Sequence, residues 1–77
     1  MLAPFVARIE AYVARVSDDK LYYPGAGYVY PSHRHWMRLF LQQYVLAHGE
    51  LPTGRHYIRV RGAHSYSGGE HDFSDLT

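Results

Sequence analysis

The sequence predicts an α+β fold in which two packed helices are combined with a short β-strand or hairpin. Apolar residues recur at helical spacing over residues 4–16, and residues 33–48 are apolar around most of a helix circumference. Residues 56–61 instead alternate between apolar and polar side chains, as in a strand. A chain of 77 residues has room for one domain. We therefore expect a compact domain over residues 1–66, followed by a flexible acidic tail over residues 67–77.

The first predicted helix, residues 4–16, has one apolar face. Pro4 suits its first turn, where the missing N–H group would have no helical partner in any case. Ser17 and the two aspartates that follow it end the apolar pattern. The residues that share the apolar face are Phe5, Ile9, Tyr12, Val13 and Val16. This face is expected to pack against the second helix.

The second predicted helix, residues 33–48, has clear signals at both ends. Ser32 is a good N-cap residue, and Gly49 can adopt the left-handed conformation that commonly ends a helix. A helix that is apolar around most of its circumference is usually central to its fold. The residues that we expect to be nearly buried are Trp36, Phe40, Tyr44 and, from the first helix, Ile9.

Residues 21–30 join the two helices and contain a Pro-Gly turn between two groups of tyrosines. The pattern is compatible with a short hairpin, whose arms would be residues 21–23 and 28–30. An ordered aromatic loop fits the same residues equally well.

The predicted strand, residues 56–61, has one apolar and one polar face. Ile58 and Val60 fall on the apolar face, which should contact the core. The polar face would carry Tyr57, Arg59 and Arg61.

The charges of the chain are distributed unevenly. All eight Lys and Arg residues lie within residues 1–66, whereas residues 67–77 contain three acids, two glycines and no basic residue. Solvated, mobile termini commonly have this composition. We therefore expect most of the tail to be unattached, with Phe73 and Leu76 as its only candidate anchors.

This sequence offers few side chains that could form a metal or cofactor site. The chain has no cysteine, so it can form neither a disulfide nor a thiolate zinc site. His33 and His35 are weak candidate ligands, because residues two apart on a helix point in different directions. We expect no metal site and no cofactor.

Catalytic constellations are also poorly supported. The candidate residues for a nucleophilic site, His64, Ser65, Ser67 and Asp72, lie in a glycine-containing segment without an evident rigid scaffold. The sequence also lacks a phosphate-binding loop, since Gly25 and Gly27 are not followed by the required Gly-Lys pair. We therefore expect that the protein is not an enzyme.

Exposed tyrosine and arginine side chains favour a protein-binding role, because both residue types are enriched at protein interfaces. Small proteins carried by mobile elements commonly inhibit or regulate host machinery. We expect such a role here: a small non-enzymatic regulator or inhibitor that occupies a surface of a larger protein partner. The predicted partner-binding residues are Tyr22, Tyr23, Tyr28, Tyr30, Arg55, Tyr57, Arg59 and Arg61.

A nucleic-acid-binding regulator is the first alternative, since arginine binds phosphate and tyrosine can stack on a base. The candidate contacts are Arg34, Arg38, Arg55, Arg59 and Arg61. A pI of about 8.1 is low for a strong nucleic-acid binder. The second alternative is a metal-binding protein that uses the histidines.

The sequence contains neither the pattern of a signal peptide nor an apolar run long enough to span a membrane. We expect a cytoplasmic protein without membrane association. The sequence leaves open whether the chain forms homo-oligomers.

Overall fold

A computed structural model describes residues 1–19, 32–61 and 67–76, and it confirms the α+β class. A short 3-10 turn, Ala3–Phe5, leads into the first helix. The regular elements are α1 (Val6–Val16), α2 (His33–His48), β1 (Arg55–Arg59) and β2 (Ser67–Asp72). The predicted hairpin or loop at residues 21–30 lies outside the described residues.

Both helices end where their sequences predict. The Ser32 hydroxyl accepts a hydrogen bond from the His35 backbone N–H at 3.2 Å and so caps the first turn of α2. Gly49 ends α2 with a φ of 79°, a left-handed conformation that glycine adopts without a Cβ clash. In α1, the Ser17 backbone N–H donates to the Val13 carbonyl and closes the last turn.

The buried face of α2 is formed by Met37, Leu41 and Val45, which are fully buried, while Phe40 is 8% exposed beside them. Trp36 and Tyr44 were expected to be nearly buried, but they are only half-buried and pack at the margin of the core. The helical repeat explains this difference. Met37, Leu41 and Val45 recur every four residues and face α1 and the strands. Trp36 and Tyr44 each precede one of these residues, so they lie at the edge of that contact.

The strands β1 and β2 form a two-stranded antiparallel sheet in the part of the chain that the structure describes. Ile58 is fully buried and Val60 is 6% exposed. Tyr57 and the arginines at positions 59 and 61 are exposed. β1 ends at Arg59, two residues before the predicted end of the strand, and within Arg55–Arg59 the two predicted faces are confirmed.

The C-terminal segment differs from the mobile tail that its composition predicts. Ser67–Asp72 pairs with β1, and the next residue, Phe73, is fully buried. The Phe73 backbone N–H donates to the Gly54 carbonyl at 2.8 Å, and its ring stacks on Phe40 with 5.6 Å between ring centroids. Helices α1 and α2 leave apolar surface that β1 alone does not cover, and Phe73 fills it. Residues 67–76 are therefore part of the domain.

Candidate interaction surface

The polar side of the two-stranded sheet formed by β1 and β2 is the main candidate for an interaction surface. We define the outer face as Arg55, Tyr57 and Arg59 of β1 with Glu70 and Asp72 of β2. All five residues are exposed, and Tyr57 retains 59% of its possible accessible surface. In the register of the sheet, Tyr57 lies opposite Glu70 and Arg55 lies opposite Asp72. The outer face thus presents an aromatic ring among charges of both signs.

The acids of β2 lie close to one end of the outer face. Arg55 and Glu70 form an ion pair with 3.7 Å between Nη1 and Oε2. The pKa of the Asp72 carboxyl is lowered, chiefly by hydrogen bonds from the Ser74 hydroxyl and backbone N–H and also by the charge of Arg55. Arg59 lies opposite Ser67 and has no ion pair within the described residues. The free positive charge is therefore concentrated toward the end of β1.

Arg34 and Arg38 form intramolecular contacts with α1 and with the segment that follows it. None of these contacts involves a residue of the outer face. Arg38 Nε lies 2.6 Å from a carboxylate oxygen of Glu10, and this hydrogen bond raises the pKa of Arg38. Arg34 contacts an Asp19 carboxylate oxygen at 3.1 Å and donates to the Ser17 carbonyl at 2.7 Å. The structure therefore provides other partners for two of the five arginines that were predicted as nucleic-acid contacts.

Arg61, another predicted site residue, is exposed two positions after the end of β1 and lies outside the outer face. The remaining predicted site residues fall into two groups. The four tyrosines of the predicted binding loop, Tyr22, Tyr23, Tyr28 and Tyr30, lie outside the described residues. His33 and His35 are half-buried in the first turn of α2, where the His35 ring packs against Trp36 with 5.3 Å between centroids. In residues 1–19, 32–61 and 67–76, no group of three or more His, Asp or Glu residues is arranged to hold a metal ion.

A polar cluster that the sequence did not predict joins β2 and the turn at residues 74–76 to α1. We call it the Tyr12–His71 cluster; it consists of Tyr12, Arg15, His71 and Asp75. The Tyr12 hydroxyl lies 2.6 Å from His71 Nε2 and 3.5 Å from Asp75 Oδ1. Arg15 donates to the other Asp75 oxygen at 2.9 Å. These partners are about 60 residues apart in the chain, so no local pattern reveals them.

Burial shifts the proton affinities of the Tyr12–His71 cluster. The pKa of Tyr12 is raised, first by burial and then by the negative charge of Asp75. The pKa of His71 is lowered below 6.5, first by burial and then by the electrostatic effect of His33 on α2, while Asp75 and Asp72 act in the opposite direction. The hydrogen bond from Arg15 lowers the pKa of Asp75. Neutral imidazole is thus the form of His71 that the folded domain favours.

The lowered pKa of His71 predicts a loss of stability on acidification. Below pH 6.5 the unfolded chain takes up a proton that the folded chain binds less readily. The contribution of His71 to the free energy of unfolding is therefore fully present above pH 6.5. It declines as the pH falls through the depressed folded-state pKa. We expect the melting temperature of the wild type to fall between pH 7.5 and 5.5, and His71→Gln to reduce this pH dependence.

The matched control for this experiment is His48→Gln, because His48 is exposed at the end of α2. Its pH dependence, followed by circular dichroism, should stay closer to that of the wild type than the pH dependence of His71→Gln does. Equal pH dependence in His71→Gln and the wild type would contradict the assignment of the effect to His71.

No functional residue can be assigned to this protein by similarity. Comparison with protein families, with curated proteins and with solved structures finds no match to the chain. No helix in the described part of the chain combines the length and apolar character needed to cross a membrane. The function therefore has to be argued from the geometry of the outer face.

Proposed function

We propose that this chain is a small non-enzymatic binding protein that regulates or inhibits a larger protein partner by occupying part of its surface. The observation that carries the proposal is the position of Tyr57, which is 59% exposed at the centre of the outer face. Most of the other aromatic rings in the described residues are buried or half-buried, so Tyr57 is the ring with the most surface left for a partner to cover. An interface would remove it from water.

Tyr57 has the properties of an interface anchor. Its backbone is held by pairing with β2, so binding has little main-chain freedom to remove. Tyrosine also loses little side-chain entropy for the area that it buries, and its hydroxyl can remain hydrogen-bonded. A small number of residues usually contributes most of the binding free energy of a protein interface. Tyrosine and arginine are among the residue types enriched in this group.

The charge pattern of the outer face favours a protein over a nucleic acid. Glu70 and Asp72 flank Tyr57 and Arg55, and their carboxylates would repel a phosphate backbone placed over the same face. A protein surface can match positive and negative groups together, which gives orientation and specificity. Because Arg34 and Arg38 already have acidic or carbonyl partners, they add little to a basic surface.

Nucleic-acid binding is the second candidate, and one observation supports it. Arg59 and Arg61 are exposed and have no ion pair in the described residues, and Tyr57 shares the exposed face of β1 with Arg59. An aromatic ring beside cations is the arrangement that single strands use for stacking and phosphate contact.

The proposal predicts that Tyr57→Ala weakens partner binding by about 30-fold, equivalent to about 2 kcal/mol for an aromatic anchor. A photoreactive phenylalanine analogue at position 57 would first capture the partner in host cells. Binding of the purified partner to wild-type and variant chains would then be measured by calorimetry.

Val6→Ala is the matched control, because Val6 is also an exposed apolar side chain, at 45%, but lies on α1. It should bind as the wild type does, and both variants should keep the wild-type melting temperature. Full affinity of the Tyr57→Ala variant would contradict the proposed site.

A fluorescent single-stranded oligonucleotide tests the second candidate. Tight binding that falls steeply between 50 and 200 mM salt, with a slope that Arg59→Ala reduces by about one, would replace the protein-partner proposal. We expect weak binding at both salt concentrations.

A further inference from the structure

A shallow cleft of about 360 Å³ lies between the C-terminal half of α2 and Arg61, which follows β1 by two residues. Its volume falls near the lower end of the range of ligand-binding clefts. The cleft is separate from the outer face and shares no residue with it. The described residues that line the cleft are Gln43, Leu46, Ala47 and Arg61.

Gln43 fixes the backbone at one wall of the cleft. Its side-chain Nε2 donates to the Arg61 carbonyl at 3.1 Å, and its Oε1 accepts from the Arg61 backbone N–H at 3.0 Å. A side-chain amide thus pairs with both backbone groups of one residue, as a neighbouring strand would. The pairing attaches the end of the β1 segment to α2 and restricts where the Arg61 side chain begins.

The floor of the cleft is apolar and in contact with solvent. Leu46 is 61% exposed, and Ala47 beside it is also exposed. Burying an exposed leucine against another apolar group is favourable by roughly 25 cal/mol per Å² removed from water. Arg61 is exposed at the rim and forms no ion pair with the acids in the described ranges. The cleft therefore offers an apolar contact next to an unneutralised cation.

We propose that this cleft is a docking site for an acidic segment of a partner protein, in which an apolar side chain neighbours a carboxylate. The apolar side chain would lie on Leu46 and Ala47, and the carboxylate would pair with the Arg61 guanidinium. Charge complementarity selects this occupant, because a neutral apolar segment would leave Arg61 unmatched and a basic one would be repelled. The site goes beyond the proposed function, since its contacts do not involve Tyr57.

The test uses N-acetyl-Leu-Glu-amide as the probe in a two-dimensional ¹H–¹⁵N NMR titration. Saturable shifts are expected for the Gln43 side-chain amide and for the backbone amides of Leu46, Ala47 and Arg61. Two matched probes separate the two contacts: glutamine in place of glutamate removes the charge, and glycine in place of leucine removes the apolar group. Each should bind about three- to fivefold more weakly, as expected for an exposed ion pair or a small apolar contact.

Variants locate the probe. Arg61→Gln should weaken binding of the acidic probe about three- to fivefold and leave the glutamine probe unaffected. Arg8→Gln is the control, because Arg8 is an exposed arginine on α1. Tyr57→Ala should bind the probe as the wild type does, which separates this test from that of the proposed function. Equal binding of the acidic and neutral probes, or no saturable shift up to about 20 mM probe, would overturn the proposal.

Discussion

Replacing Phe73 with alanine is expected to destabilise the domain by about 3–5 kcal/mol, the usual cost of deleting a buried aromatic ring. The Phe73 side chain is fully buried, stacks on Phe40 and has the rings of Tyr12, His56 and His71 within 6.0 Å between centroids. Stabilities of small domains commonly lie near 5 kcal/mol. The variant should therefore be largely unfolded at 37 °C.

Urea denaturation followed by tryptophan fluorescence and circular dichroism would measure this loss. Tyr57→Ala is the matched control, because it deletes an aromatic ring from the same hairpin at an exposed position. It should unfold at nearly the wild-type urea concentration. A Phe73→Ala variant with a wild-type midpoint would show that Phe73 does not belong to the core.

Truncation after residue 66 is expected to abolish cooperative folding. It removes β2 and with it the pairing partner of β1, and it also removes Phe73 and the Arg15–Asp75 ion pair. A two-stranded sheet cannot persist with one strand, and the apolar surface under Phe73 would be exposed to water. The truncated chain should lack a cooperative thermal transition in circular dichroism.

Neutralising the three acids of residues 67–77 separates the effect of their charge from the anchoring of this segment by β2 and Phe73. A variant of the 77-residue chain with Glu70→Gln, Asp72→Asn and Asp75→Asn keeps β2 and Phe73 but loses the surface ion pairs, which contribute little to stability because water and salt screen them. It should fold and melt cooperatively. A truncated chain that melts like the 77-residue chain would instead restore the mobile-tail hypothesis.

The two helices and the faces of β1 could be predicted because their signals are local. The side chain of Ser32 caps the turn that immediately follows it, and the conformation of Gly49 depends on its own missing Cβ. Alternation in a strand likewise places Ile58 and Tyr57 on opposite faces whatever the partner strand is. Each of these predictions needed only neighbouring residues.

The packing of the C-terminal segment could not be predicted in the same way. Glycine and acidic residues disfavour a strand locally, and β2 is held by pairing with β1 and by the burial of Phe73 next to it. The sequence signals were the apolar residues Phe73 and Leu76 among polar ones; Phe73 lies in the core and Leu76 packs against it. Helical spacing placed Arg34 and Arg38 on one face of α2, but it could not show that Glu10 of α1 lies within 2.6 Å of Arg38.

The Tyr12–His71 cluster has a consequence for the kinetics of folding. It joins residues 59 positions apart, so its formation closes a loop that includes most of the chain. The hairpin contacts of β1 and β2 and the turns of each helix span much shorter separations and lose less chain entropy when they form. The cluster is therefore expected to form after the rate-limiting step. Contacts made that late mainly slow unfolding, so the cluster would prolong the lifetime of the native state more than it speeds folding.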